Sequence, residues 1–166
     1  EIIAGLVKAT TGSITFDGEV ITGLSPRAII KKGISMSFVP EDRLGMGLVS
    51  GMSITNNVIL KSYNRNPGPF IDSKFAKKLA EQIVNDFNIY TPSVNYTVKK
   101  LSGGNIQKVL LGREIWLSPK VLITAYPVRG LDIGASYNIY HLLNEQKKKG
   151  VAVLFIGEDL DVLKSI

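Results

Sequence analysis

Apolar residues recur along this chain in two rhythms, one of period two and one near four, and the two take turns. Residues 14–18 (ITFDG) and 19–21 (EVI) alternate apolar and polar around Asp17-Gly18, the pattern of a β-hairpin closed by a tight Asp-Gly turn. Ser25 as N-cap, Pro26 at the first helical position and Gly33 as a stop then bracket a short helix. Residues 34–39 (ISMSFV) read as a strand. From about Ile54 to Leu117 the period is helical: Phe75, Leu79, Ile83 and Phe87 recur every fourth residue behind Asp72 and Ser73, with loops at Pro67–Pro69 and Pro92. Two nearly continuous apolar runs follow, 121–126 (VLITAY) and 151–156 (VAVLFI), as expected of parallel strands buried on both faces. Between them Ala135, Ile139, Leu142, Leu143 and Gln146 mark one helical stripe that Gly150 stops, so strand, helix and strand form a βαβ unit.

The class predicted is α/β, with a parallel sheet, an N-terminal antiparallel hairpin and a helical insert. Glu1 to Leu6 reads as helix-like without a cap, and a further helix is expected to start after Gly157. Both ends therefore read as interruptions of a longer polypeptide.

Composition narrows the chemistry. The 166 residues are 45% apolar and 20% charged, which excludes intrinsic disorder and suits one domain or a large piece of one. Twenty Lys and Arg against 14 Asp and Glu leave a net charge of +6. That charge keeps an anionic or nucleic-acid partner in view, but the basic residues are scattered in small groups such as Lys31-Lys32, Lys77-Lys78 and Lys147–Lys149, where solvation explains them. With no cysteine and one histidine, His141, disulfide scaffolds, Cys/His zinc sites and thiol nucleophiles are excluded, and a reducing cytosol is compatible. No apolar run reaches the ~18 residues of a membrane-spanning helix, and no leader pattern is present, so any membrane role is expected to be peripheral.

The strongest local signal is LSGGNIQK, Leu101 to Lys108. Ser102 and two glycines open a helix here. Backbone N–H groups at the positive helix N-terminus can face an anion, the Ser hydroxyl adds a donor, and Gly103 and Gly104 allow close approach. Elsewhere the simpler readings prevail. Glu158, Asp159 and Asp161 are cap and dipole partners; His141 is a surface residue on a helix; Trp116, with Leu110, Leu111 and Ile115, is core packing; Tyr137 and Tyr140 are partly buried helix residues.

The octet resembles the signature motif of ATP-binding cassette (ABC) transporter ATPases, in the form used by sugar and nucleoside importers. Further segments fall in that family's order. Ala4-Gly5-Leu6, Thr11-Gly12-Ser13-Ile14 and Asp17-Gly18 resemble the stretch after the phosphate-binding helix. Val39 to Arg43 (VPEDR) resembles the segment that replaces the Q-loop in the sugar and nucleoside group, placing Glu41 where Gln is usual. GLVSGMSITNNVIL continues into the helical subdomain, and Arg129 to Ala135 (RGLDIGA) resembles the D-loop region with Asp132 as its aspartate. The resemblance implies a partial ABC-type, RecA-like core at 1–43 and 119–166, and a helical subdomain at 44–118 that ends in the signature helix.

Departures from the family pattern imply an unusual role. A Walker A loop requires Gly-Lys followed by Ser or Thr, and none of the 16 glycines precedes a lysine; the family places that loop upstream of Glu1. Where the family has the Mg²⁺-supporting Asp and the water-polarising Glu, this chain has Ala125 and Tyr126. An alanine offers no oxygen to a hard cation, and a phenol is a poor base for water at neutral pH. Where the family has a His that contacts the γ-phosphate stands Glu158, whose carboxylate would repel phosphate. The resemblance thus implies a degenerate site with no metal ligands of its own and no tight nucleotide binding by this chain alone. Ser102, Gly103, Gly104, Asn105 and Gln107 would serve ATP, with Mg²⁺, held by a second nucleotide-binding domain. Transmembrane permease subunits, and indirectly a solute-binding protein, are the further partners implied, at the cytoplasmic face of the membrane. AYP at 125–127, GLV after EDR, and residues 157–161 stand closer to the nucleoside branch than to the ribose-like one. The alternative is a non-catalytic interaction or regulatory module derived from an ABC protein that acts on nucleic acid or on a soluble complex, with the +6 charge as its only independent support.

Overall fold

The computed structural model describes residues 1–32, 34–63 and 70–157. The hairpin pairs β1 (Thr15–Phe16) with β2 (Glu19–Val20) in antiparallel register. Asp17 and Gly18 lie at φ 49° and 80°, the two left-handed positions of a type I′ turn, which a β-branched residue would oppose. Helix α1 (Pro26–Lys31) starts where Ser25 accepts a bond from the Ala28 amide. Lys32 ties its end to β2 through an ion pair with Glu19, whose carboxyl that bond holds below its ordinary value. Ile21, Ile29 and Ile34 form a small core beneath the hairpin, joined by Phe16, Leu24 and Met36.

Residues 1–6 do not form the expected helix. They make turns, and Gly5 at φ 73° with its Cα against the Leu24 carbonyl breaks the helical path.

Three parallel strands form the main sheet in the order β3 (Met36–Val39), β4 (Val121–Ala125), β5 (Ala152–Ile156). The alignment runs Phe38, Ile123, Leu154 across one row and Val39, Thr124, Phe155 across the next. β4 is buried as expected. β5 is not: Val153 and Phe155 are half-buried while Ala152, Leu154 and Ile156 are exposed. It has one strand neighbour among the described residues, and Phe38 and Leu154 lie on the sheet face whose other end, at Met36 and Val121, meets the small core around Ile29 of α1.

The opposite face packs on the helices. Helix α2 (Ile54–Ile59) is capped by Ser53, α3 (Ser73–Asp86) by Asp72, and α4 (Gly103–Trp116) follows a 3₁₀ turn at Val98–Lys100. In α3 the expected stripe holds, with Leu79 and Ile83 buried and Phe75 and Phe87 packed at the margin. α4 is buried nearly all round, including Leu110 and Leu111 at 0% exposure, each contributing about 1.5–3 kcal/mol. Trp116 packs on Phe75 with ring centroids 5.8 Å apart. Helix α5 (Ile133–Lys148) completes the crossover and buries Ile139, Leu143 and Gln146. Tyr140 lies one turn beside this stripe and packs near Phe155. Tyr137, two residues from Ile139 and so on the far side of the helix, is 70% exposed, against the expectation of partial burial. His141 is exposed, as expected. The expected stop at Gly33, the loop at Pro67–Pro69 and the helix after Gly157 lie outside the described residues.

One buried side chain organises the loop that leads into α2. Asn57, 0% exposed, accepts from the Val49 amide at 2.7 Å and donates to the carbonyls of Val49 and Ser53 at 3.1 and 3.0 Å. Asn57→Asp replaces that donor by an oxygen facing carbonyl oxygens. It is expected to cost about 3 kcal/mol, read as a lowered urea midpoint; a midpoint equal to wild type would contradict this account.

Candidate functional site at the start of helix α4

The geometry is built from Val98 outward. Val98 is fully buried and its amide donates to the Met52 carbonyl. The 3₁₀ turn it anchors delivers Ser102 to the N-cap of α4 at φ −66°, ψ 156°. Ser102 makes no side-chain cap bond. Instead its Oγ accepts from Asn105 Nδ2 at 2.9 Å, and Asn105 Oδ1 accepts from the Tyr90 amide at 2.9 Å. Asn105 is thereby committed to holding the serine. The exposed Ser102 hydroxyl keeps its proton free to donate, beside first-turn amides that have no intrahelical acceptor and carry the positive end of the helix dipole.

Gly103 and Gly104 meet the segment that follows β4. A Cβ on Gly103 would sit 3.2 Å from Leu131 Cδ2, and one on Gly104 3.1 Å from Ala135 Cβ. Neither glycine has a positive φ, so it is close approach, not backbone conformation, that favours glycine at this turn. Asp132 caps α5 by accepting from the Ala135 amide at 2.9 Å, which fixes the same segment from its other side.

A polar bridge joins three of the sequence segments. After Pro40, Asp42 accepts from the Gly45 amide and starts a π-helical turn, Arg43–Gly47. Arg43 Nε donates to Gln107 Oε1 at 2.7 Å, and its Nη2 donates to the Arg129 carbonyl. Arg129 in turn pairs with Glu41 and lies with its guanidinium 6.0 Å from the Tyr126 ring centroid. Partial burial pushes the Arg43 guanidinium down from its ordinary value, yet a guanidinium remains charged at neutral pH. Gln107 is 0% exposed, and its Nε2 has no partner among the described residues.

The sequence-predicted residues thus divide. Ser102, Gly103, Gly104, Asn105 and Gln107 share one helix end with Asp132 beside it, and Glu41 reaches the same region through Arg129 and Arg43. Ala125 ends β4 opposite Ile156, and Tyr126 follows at φ 49°, a left-handed conformation that is strained for a bulky side chain. Glu158, Asp159 and Asp161 lie outside the described residues. Sequence reading assigns no role to Arg43 or Arg129, although both stand inside motifs it identifies, because their partners lie far along the chain. Among the described residues no helix is long and apolar enough to cross a membrane.

Comparison with known proteins identifies the family. The family model described as "ABC transporter" matches residues 1–127. The guanosine import ATP-binding protein NupO of Bacillus subtilis is 37% identical over 170 residues, covering 100% of this chain and 33% of that protein. The ribose import ATP-binding protein RbsA of Clostridium perfringens is 39% identical over 160 residues, covering 95% of this chain and 32% of that protein. The chain therefore spans about a third of the length of such relatives. Among solved structures, the ATP-binding cassette MJ0796 in a dimeric post-hydrolysis state bound to ADP and Pi superposes with a TM-score of 0.76 at 23% identity, covering 97% of this chain and 68% of that one. That likeness carries the cassette fold, including the parallel sheet and the helical insert. With the family model matched over 127 of its 166 residues, the chain belongs to the ABC transporter family.

Proposed function

We propose that this chain works as a nucleotide-binding cassette of a sugar or nucleoside importer and presents its signature turn to ATP held by a partner nucleotide-binding domain. The observation that carries this reading is the exposed Ser102 hydroxyl, oriented by Asn105 and set at the N-terminus of a 14-residue helix. Such donors stabilise the charge that develops on a transferring phosphoryl group, an electrostatic contribution with no acid–base step. The import functions named for the relatives NupO and RbsA support the importer assignment and the solute class.

The chain's own counterpart site is degenerate in this reading. Mg²⁺ does not fit the end of β4, because Ala125 offers a methyl group and Tyr126 a single phenol where a hard cation needs several oxygens. ATP and Mg²⁺ then belong to the assembled transporter, with Ser102, Gly103 and Gly104 facing the nucleotide and Asp132 shaping the adjoining loop. Residues 44–118 act as the helical subdomain, 1–43 and 119–166 as the core. Glu41 passes the nucleotide state to transmembrane permease subunits at the cytoplasmic face of the membrane, supplied by a solute-binding protein.

The test is a calorimetric titration of MgATP into the chain alone and into the chain paired with a catalytically intact partner domain. The chain alone is expected to show no binding tighter than about 0.1 mM and no hydrolysis, while the pair binds. Turnover by the chain alone would overturn the degenerate-site reading.

A further inference from the structure

We propose that Arg43 is a positioning residue that clamps the signature helix to the loop after β4. This rests on the reading that the signature turn serves a partner's ATP. The inference follows from where its guanidinium goes. Arg43 stands on the π-helical turn 43–47, yet Nε donates to Gln107 on α4 and Nη2 donates to the Arg129 carbonyl. A Cβ on Gly103 would lie 3.8 Å from the remaining nitrogen, Nη1. One planar group therefore joins its own turn to both α4 and the loop after β4.

Each partner is held so that the clamp is specific. Gln107 is fully buried, and the bond from Arg43 is its only side-chain hydrogen bond among the described residues. Withdrawing it leaves the whole amide unpaired inside the protein, an unfavourable state that drives the helix end to shift. The Arg129 backbone is presented by the Glu41 ion pair and by the hydrogen bond that its N–H donates to the Tyr126 carbonyl. The exposed Glu41–Arg129 pair adds little stability by itself; its effect is to orient the carbonyl that Arg43 reads. Gly103 against Leu131 and Gly104 against Ala135 then translate a displacement of the loop into one of the signature turn, because no slack separates them. Lysine cannot substitute: a point charge has one donor group and no fork to span two fixed acceptors.

The experiment uses Arg43→Ala and Arg43→Lys in the assembled transporter, with amide exchange of the same subunit read without nucleotide. Exchange at Ile106 and Leu131, whose amides bond Ser102 and Val128, is expected to quicken about tenfold, while Thr55, bonded to Val94, stays unchanged. Turnover is expected to fall about tenfold or more with KM for ATP within about twofold, the split of a group that orders the reacting geometry. Unfolding temperature should fall by about 2–10 °C, the cost of one buried amide left unpaired, with a single cooperative transition. Unchanged exchange at Ile106 and Leu131, wild-type behaviour of Arg43→Lys in both readouts, or exchange that quickens throughout the subunit would each overturn the clamp. Should Arg43→Ala not fold, Arg43→Lys carries the test. Ser102→Arg separates the two ideas. Faster exchange in the Arg43 variants, with full turnover in them and in Ser102→Arg, upholds the clamp and refutes the nucleotide role it rests on. Faster exchange with Ser102→Arg inactive and the Arg43 variants fully active overturns the clamp's role in turnover.

Discussion

Ser102→Arg is expected to abolish stimulated ATP turnover in the assembled transporter while leaving this chain folded. The two halves of that expectation have separate causes. Ser102 is exposed, has ordinary extended dihedrals and makes no cap bond to the helix amides, so the usual cap penalty of about 0.5–2 kcal/mol applies only in small part. What is lost locally is the bond from Asn105, and Asn105 keeps its second anchor, the Tyr90 amide. At the functional surface the change is large. The hydroxyl donor disappears, and a long side chain covers the first-turn amides that would face the γ-phosphate. Removing one preorganised donor of this kind costs about 10²–10³ in turnover, and obstruction of the remaining donors takes the rate to background. Phosphate release by the assembled transporter, with thermal unfolding and co-purification of the partner subunits as controls, reads the result. Normal turnover with intact assembly would refute the role in trans.

The parts of the fold that were legible in the sequence are those specified within a few residues. Asp17-Gly18 announces its turn because few other pairs accept two left-handed positions, and Ser25-Pro26 announces a helix start because both residues act on adjacent backbone groups. The start of α4 was legible for the same reason, with Ser102 at its cap and Asn105 one turn on. What the sequence concealed depends on partners far along the chain. Arg43 reads Gln107 across 64 positions and a carbonyl at 129 across 86, and no local pattern encodes either separation. The N-terminal six residues misled because apolar composition suits a helix, while the path is decided by Gly5 meeting the Leu24 carbonyl. β5 looked doubly buried because its residues are apolar, but burial depends on what covers each face, and Leu154 and Ile156 stay 39% and 43% exposed. At Tyr126 the sequence shows a phenol and no more, whereas the left-handed backbone and the contact with Arg129 come only from the geometry.

Glu114→Ala is expected to be the most destabilising single substitution proposed for this chain, at about 3–5 kcal/mol. Glu114 lies in the last turn of α4 with 0% exposure. Its Oε1 accepts from Arg113 Nε at 3.0 Å and Nη2 at 2.9 Å, and its Oε2 accepts from Lys61 Nζ at 2.6 Å. The partners differ in what they do when the carboxylate goes. Lys61 is 40% exposed in its side chain and can turn to water. Arg113 is 5% exposed and also bonds the Gly47 carbonyl at 2.7 Å, so its charge stays buried without a counter-ion. That uncompensated charge, more than the lost ion pair, sets the cost. Glu114→Gln keeps the shape and one acceptor and should cost less, about 1–3 kcal/mol. The double variant Arg113→Met, Glu114→Leu removes both charges and should be more stable than Glu114→Ala alone, because burying apolar groups of similar volume avoids the desolvation penalty altogether. For a chain of this size each kcal/mol moves the unfolding temperature by about 2–4 °C, so the series is resolvable by thermal unfolding. A Glu114→Ala loss below about 1 kcal/mol would mean that water reaches Arg113. Because Arg113 holds Gly47 at the end of the turn that begins with Arg43, Glu114→Ala should also quicken amide exchange at Leu48, whose amide closes that turn on the Arg43 carbonyl, tying the buried charge cluster to the placement of the signature clamp.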